Sequence, residues 1–65
     1  MTREEAEFLQ PGDIIEYSLS KSRYRVTGIA KEKGKVTGIL AVPIPNDAPI
    51  ELPMGSIQML NKVGS

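Results

Sequence analysis

Hydrophobic and polar residues alternate through much of residues 23–44, RYRVTGIAKEKGKVTGILAVPI. Valine, isoleucine, threonine and tyrosine, which favour β-strands, dominate both halves of this segment. At its middle, Lys33-Gly34 provides a glycine where the chain must turn through positive φ. The pattern therefore predicts a β-hairpin, with one strand on each side of this dipeptide, as the central element of the fold.

The two-residue period of a β-strand assigns the hairpin side chains to two faces. On the first arm, one face carries Tyr24, Val26, Gly28 and Ala30, and the other carries Arg23, Arg25, Thr27 and Ile29. On the second arm, one face carries Val36, Gly38, Leu40 and Val42, and the other carries Lys35, Thr37, Ile39 and Ala41. The face that carries the arginines must be in contact with water. Gly28 and Gly38 predict bulges or bends, which let a short sheet curl.

The N-terminal segment carries a helix signal. Thr2 precedes Glu5 by three residues, which is the spacing of a capping box. We expect a short helix whose apolar side carries Ala6, Phe8 and Leu9. A lid that covers one end of the fold is the favoured interpretation, and a partner-docking helix is the alternative.

A turn and a strand follow the helix. Pro-Gly-Asp at residues 11–13 predicts the turn, because proline presets φ and glycine supplies positive φ. The strand covers residues 13–18 and carries Ile15 and Tyr17 on one face. The polar loop after it contains one apolar residue, Leu19, which we expect to anchor the loop on the core rather than to stand exposed as a contact.

The C-terminal third is punctuated by proline. Residues 43–49 hold three of the five prolines, so the strand ladder should end there in a stiff loop. A strand is expected at 50–52, one turn of 3₁₀ helix at 53–56 and a last strand at 57–60. Residues 61–65 are expected to form a frayed tail, and their final Gly-Ser is compatible with an expression remnant.

Composition narrows the functional classes. A chain of 65 residues makes one small domain, which leaves little room for an enclosed active site. The sequence contains neither cysteine nor histidine, which excludes disulfides, thiolate chemistry and an ordinary zinc site. We expect no cofactor and no small-molecule substrate. The N-terminus does not resemble a signal peptide and no apolar run approaches about 20 residues, so we expect a cytoplasmic protein without a membrane partner.

Charge is distributed unevenly along the chain. The net charge is zero, with eight basic and eight acidic residues. Residues 21–35 hold six of the basic side chains against the single acid Glu32, a local charge of +5 that leaves −5 elsewhere. The hairpin is therefore predicted to be the basic part of the molecule.

The order of elements and three short motifs carry a resemblance. The motifs are Pro11-Gly12-Asp13-Ile14-Ile15, Tyr24-Arg25-Val26-x-Gly28-Ile29 and Leu52-Pro53-x-x-x-Ile57-x-x-Leu60. Together they resemble a Src-homology-3-like barrel of the kind found in small bacterial and phage domains. The resemblance covers residues 8–60. It implies an all-β, five-stranded barrel with a short N-terminal helical cap at residues 1–9 and a 3₁₀ turn before the last strand.

The layout is also similar to the plasmid-borne type II dihydrofolate reductases, which allows a test of activity. That family uses a lysine shortly after the Gly-Asp and a Val-Gln-Ile-Tyr run before the closing proline turn. Here Tyr17 occupies the first position and Pro49-Ile50-Glu51-Leu52 the second. The resemblance therefore extends to the fold and not to the activity.

The sequence gives equally little support to other catalytic arrangements. The carboxylate pairs that could come close enough for acid-base chemistry are Asp13 with Glu16 and Asp47 with Glu51, and surface acids in turns are usually solvated caps. The sequence contains no phosphate-binding glycine loop and no nucleophile elbow. We expect a protein that is not an enzyme.

Two classes of binding partner remain. The favoured one is nucleic acid, bound by cations of the hairpin and by a stacking tyrosine. The candidate residues are Arg23, Arg25, Lys31, Lys33, Lys35 and Tyr17, with Tyr24 as a second stacking ring. The alternative is a protein partner or a homo-oligomer, formed through the apolar closing strand and the acidic helix, which carries Glu4, Glu5 and Glu7. A basic strand face is also a common solvated edge that guards against aggregation.

Overall fold

The computed structural model describes residues 1–45 and 48–64. Its elements are α1 (Arg3–Glu7), β1 (Ile14–Tyr17), β2 (Arg23–Glu32), β3 (Lys35–Ile44), β4 (Ile50–Pro53), a 3₁₀ helix (Met54–Met59) and β5 (Leu60–Gly64). The strands form one antiparallel sheet in the order β4-β3-β2-β1-β5. The prediction of a mostly β fold with a short helix and a 3₁₀ turn before the last strand is confirmed.

Helix α1 begins with the predicted capping box. The Thr2 hydroxyl accepts a hydrogen bond from the Glu5 N–H at 3.1 Å, and the Glu5 carboxylate accepts one from the Thr2 N–H at 2.8 Å. Ala6 and Leu9 are buried against the sheet. The assignment of Phe8 to the same apolar side is wrong, because this residue follows the helix and is 76% exposed.

The capping box lowers the pKa of Glu5. The Thr2 N–H is the main cause, and the Thr2 hydroxyl adds to it. A depressed folded-state pKa stabilises the helix above the unfolded pKa, and this contribution is lost as pH falls through the folded pKa. We expect an NMR titration to show that the pKa of Glu5 is lower than that of a glutamate in an unstructured peptide. Thr2→Ala should reverse only part of this lowering, because the variant loses the hydroxyl but keeps the backbone N–H. A Glu5 pKa in the wild type that equals the peptide value would contradict the capping box.

The turn before β1 is hydrogen-bonded to the sheet. Its Asp13 N–H donates to the Gln10 carbonyl at 3.0 Å, and Gly12 has a φ of 100°. Proline followed by a positive-φ glycine is the arrangement of a type II turn. The same turn pairs with β2, since the Gly12 N–H donates to the Val26 carbonyl and the Val26 N–H donates to the Asp13 carbonyl, both at 2.8 Å.

The central hairpin forms as predicted and turns at Lys33-Gly34. Both turn residues have positive φ, 52° for Lys33 and 81° for Gly34, as a two-residue turn that matches the strand twist requires. The structure places register shifts beside both strand glycines. On β2, Val26 opposes Ala41 and Gly28 opposes Leu40, so Thr27 is an extra residue; on β3 the extra residue is Thr37.

These bulges overturn the strict two-residue assignment of faces. Ile29 was expected beside the arginines, but the extra residue at Thr27 returns it to the core. Its cross-strand partner Ile39 is 1% exposed in the same core. Leu40, the next residue on β3, points to the opposite face.

One hydrophobic cluster lies under the sheet. Its buried members are Ala6, Leu9, Ile15, Val26, Ile39, Ile57 and Leu60. Leu52 of β4 packs against this cluster, although β4 and β5 are at opposite edges of the sheet. In a flat sheet those edges would be about 19 Å apart. The sheet is therefore strongly curled around its core.

Four other expectations are corrected near the loops and the C-terminus. Leu19 does not anchor its loop, because it is 70% exposed. The ladder does not stop at the first proline, since Pro43 and Ile44 still pair with β2. Residues 57–59 belong to the 3₁₀ helix, and residues 60–64 form β5 on β1 instead of a frayed tail.

Gly38 is a position where a side chain would disturb the sheet. A β-carbon there would lie 3.0 Å from the Leu52 carbonyl oxygen and 2.7 Å from a carboxylate oxygen of Glu51. We expect Gly38→Ala to lower the free energy of unfolding by about 1 kcal/mol or more, because the backbone carbonyl has to move. Gly55→Ala is the matched control, since nothing lies within 4 Å of its β-carbon. Chemical denaturation of both variants measures the difference, and equal midpoints would refute it.

Candidate binding surface

The two predicted arginines lie on the face of the sheet opposite to the core. Arg25 is directly between Val42 on β3 and Ile14 on β1. Directly opposed residues of an antiparallel pair point to the same side. We call this side the outer face, and it is formed by Ile14, Glu16, Arg23, Arg25, Leu40, Val42, Ile44 and Glu51.

An apolar row runs along the outer face on β3. Leu40 and Ile44 are 37% and 46% exposed, and Val42 between them is 8% exposed. The aliphatic stem of Arg25, which opposes Val42, is placed to cover this valine. The outer face therefore exposes an apolar strip to solvent, and arginines lie along one side of this strip.

Acidic and basic groups on the outer face are balanced in number. The Arg23 Nε lies 3.3 Å from a Glu16 carboxylate oxygen. Arg25 has no carboxylate within 4 Å in the described part of the chain. The Glu51 side chain lies over Gly38, beyond Leu40. Arg25 is therefore the cation on this face that is available to an incoming carboxylate.

The predicted lysines lie at the far end of the hairpin. Lys31 opposes buried Val36, whereas Lys35 opposes Glu32. Neighbouring residues on a strand point to opposite faces, so these two lysines lie on different sides of the ribbon. Lys31 is six residues from Arg25, about 20 Å along the strand. The structure therefore does not bring the six predicted site residues together.

The tyrosines lie away from the arginines. Tyr17 and Tyr24 are partly buried and pack against the core cluster. They follow the core-facing alternation of β1 and β2, so their rings are on the side opposite to the outer face. A base stacked on either ring would not contact Arg23 or Arg25.

Sequence reasoning missed the apolar row as a surface feature. Its signal was present, since Leu40, Val42 and Ile44 recur at every second position of one strand. The bulge at Thr37 splits the set expected to contain Val36, Leu40 and Val42: Val36 is buried, as Ile39 and Ala41 are, whereas Leu40 and Val42 lie on the outer face. The row alternates with Ile39 and Ala41 and faces outward.

Asp13 has a structural environment and is not part of a carboxylate pair. It is 4% exposed, and its Oδ2 accepts the Gln10 N–H at 2.9 Å and lies 3.6 Å from the Lys62 Nζ. Glu16 pairs with Arg23 instead. The other suggested pair, Asp47 with Glu51, includes a residue outside the described part.

Two open depressions of about 270 and 370 Å³ lie on either side of Met1 at one end of the molecule. Among residues 1–45 and 48–64, no group of three acidic side chains is placed to hold a metal ion. No described helix has the length and apolar character needed to cross a bilayer.

Comparison with known proteins provides no relative for this chain. No family model, no curated protein and no solved structure matches it. Function therefore has to be inferred from the chemistry of the surface.

Proposed function

We propose that this chain is a non-catalytic binding module that binds a protein partner through the outer face of its sheet. The observation that carries the proposal is the apolar row of Leu40, Val42 and Ile44, beside Arg23 and Arg25. An apolar centre with arginine beside it is the composition favoured at protein interfaces. Glu16 and Asp13 are engaged by their own basic neighbours, whereas Arg25 beside the row has no carboxylate within 4 Å in the described residues.

The charge balance favours protein over nucleic acid on this face. A surface that tracks phosphates has an excess of cations, whereas the outer face carries Glu16 and Glu51 beside its two arginines. A partner segment that combines an apolar side chain with a carboxylate fits better. The apolar group would cover the row, and the carboxylate would pair with Arg25.

Selection from a library of displayed random peptides tests this proposal. The wild type should enrich peptides that contain acidic and large apolar residues. A face variant, Arg25→Gln with Ile44→Thr, should bind them at least about tenfold more weakly while staying folded. A tip variant, Lys31→Gln with Lys35→Gln, is the control and should bind them normally. Peptides that bind the face variant as well as the wild type would refute the outer face as the site.

Nucleic acid is a second candidate because of the hairpin tip. Lys31, Lys33 and Lys35 are exposed, and none has a carboxylate within 4 Å in the described residues. Titration of DNA and RNA at low and physiological salt tests it. Salt-sensitive binding that the tip variant abolishes would favour this candidate. Binding that the tip variant leaves unchanged would exclude the tip as the phosphate site.

The Src-homology-3-like barrel is proposed as the finer description of the fold. It is supported by the strand order and by a core cluster shared between Leu52 near one edge and Leu60 at the other. The 3₁₀ helix connects the two edge strands, as expected if they approach each other. Nuclear Overhauser contacts from both Leu52 and Leu60 to Ile39 would support the curled arrangement. A flat sheet would give no contact between Leu60 and Ile39, because Leu60 lies at the far edge.

A further inference from the structure

Helix α1 presents a second surface that combines acid and apolar groups. Glu4 and Glu7 occupy positions i and i+3 of α1, which lie side by side on its surface, and Phe8 follows Glu7 as the C-cap residue. All three are exposed, and Phe8 is the most exposed of the large hydrophobic residues described. Neither glutamate has a basic partner within 4 Å in residues 1–45 and 48–64. We call these three residues the helix stripe.

The helix stripe is complementary to the outer face. It offers one aromatic ring and two carboxylates, and the outer face offers an apolar row with two arginines. Opposite charges around a desolvated apolar contact set the orientation of two surfaces and raise their association rate. The aromatic ring would cover the row, where Leu40 and Ile44 are still partly exposed.

The two surfaces cannot meet within one molecule. Ala6 and Leu9 fix α1 to the core cluster, on the core side of the sheet. The outer face is on the other side, with the strands between them. The molecule is 19 to 21 Å across its two short axes, which is too thick for the acidic side chains to reach around.

We propose that the occupant of the outer face is the helix stripe of a second copy of this chain. Because the outer face is the binding surface proposed above, this occupant rests on the proposed function. The contact joins two different surfaces, so a pair of molecules keeps one helix stripe unused on one copy and one outer face unused on the other. Head-to-tail assembly into rings or open chains follows, in place of a two-fold dimer.

Complementation between two variants tests this assembly. The helix variant carries Glu4→Gln, Glu7→Gln and Phe8→Ala, which are all exposed and leave the Thr2–Glu5 capping box intact. The face variant retains an intact helix stripe. By analytical ultracentrifugation, the wild type should form species larger than a dimer at low salt and dissociate as salt rises. Each variant alone should be monomeric, with association weakened at least about tenfold.

A mixture of the helix variant and the face variant should form a dimer of one copy of each and nothing larger. The intact stripe of one binds the intact face of the other, and no further site remains. The tip variant should assemble as the wild type does. Circular dichroism verifies that every variant is folded.

Three results would overturn the assembly: a monomeric wild type at millimolar concentration and low salt, a mixture that stays monomeric although the wild type assembles, or equal loss in the tip variant. The peptide selection separates this failure from that of the proposed function. Peptides that still require the outer face would leave a protein partner other than this chain. Peptides that ignore the face would remove both proposals.

Discussion

Ile39→Ala is expected to lower the free energy of unfolding by about 2–5 kcal/mol, which is comparable to the whole stability of so small a domain. Ile39 is 1% exposed and packs in the cluster that joins α1, the sheet and the 3₁₀ helix. Its loss leaves a cavity among side chains that come from several elements. The variant should be largely unfolded at room temperature, as circular dichroism and urea denaturation would show.

Leu40→Ala is the matched control, because it removes a side chain of the same size from the next position. Leu40 is 37% exposed on the outer face, so we expect a loss of about 1 kcal/mol. The comparison tests the register set by the bulge at Thr27. If Leu40→Ala were the more damaging change, the assignment of the two faces of β3 would be reversed.

Asp13→Ala is expected to lower the free energy of unfolding by about 2–3 kcal/mol. The carboxylate is buried, accepts the Gln10 N–H at 2.9 Å and lies 3.6 Å from Lys62. Removal would leave the turn N–H without its acceptor and would loosen the link between the turn and β5. Thermal denaturation of the variant measures this loss.

Two controls separate the contributions at Asp13. Asp13→Asn keeps an oxygen for the Gln10 N–H and should cost less than alanine, about 1 kcal/mol. Lys62→Gln removes only a half-exposed cation and should cost less than about 1 kcal/mol. If Lys62→Gln were as damaging as Asp13→Ala, the ion pair rather than the turn hydrogen bond would be the main contribution.

Local chemistry made several elements predictable. The capping box of Thr2 and Glu5, the turn at Gly12 and the hairpin turn at Gly34 each depend on residues within a few positions. Nearby residues alone are therefore sufficient to specify each of these elements. The strand glycines, Gly28 and Gly38, indicated the bulges beside them.

Non-local packing accounts for what the sequence could not specify. Strict two-residue alternation does not include the extra residues at Thr27 and Thr37. Ile29 and Ile39 could therefore not be assigned to the core from the sequence. The last residues form a strand because β1 offers them an edge, with Ile15 opposite Lys62. Their own sequence has little strand character.

The same division between local signals and non-local packing applies to the candidate site. Exposure of the basic residues was expected from their charge, but their grouping depends on which strands they join. The two-residue turn places Lys31 and Lys35 on opposite sides of the ribbon, and the partner strands place Arg25 beside Val42. The packing of Tyr17 against the core was also a tertiary effect. An excess of cations along a sequence is therefore weak evidence for a continuous basic surface.

Binding through the outer face is the central claim, and an NMR titration of the labelled protein tests it most directly. The tightest peptide from the display selection and a short oligonucleotide would be added separately at low salt to the labelled helix variant, whose outer face is intact and unoccupied. We predict that the peptide shifts the amides of Ile14, Arg25 and Val42, and that the oligonucleotide leaves them in place. An oligonucleotide that shifts these amides together with Lys33, while the peptide does not, would contradict the account.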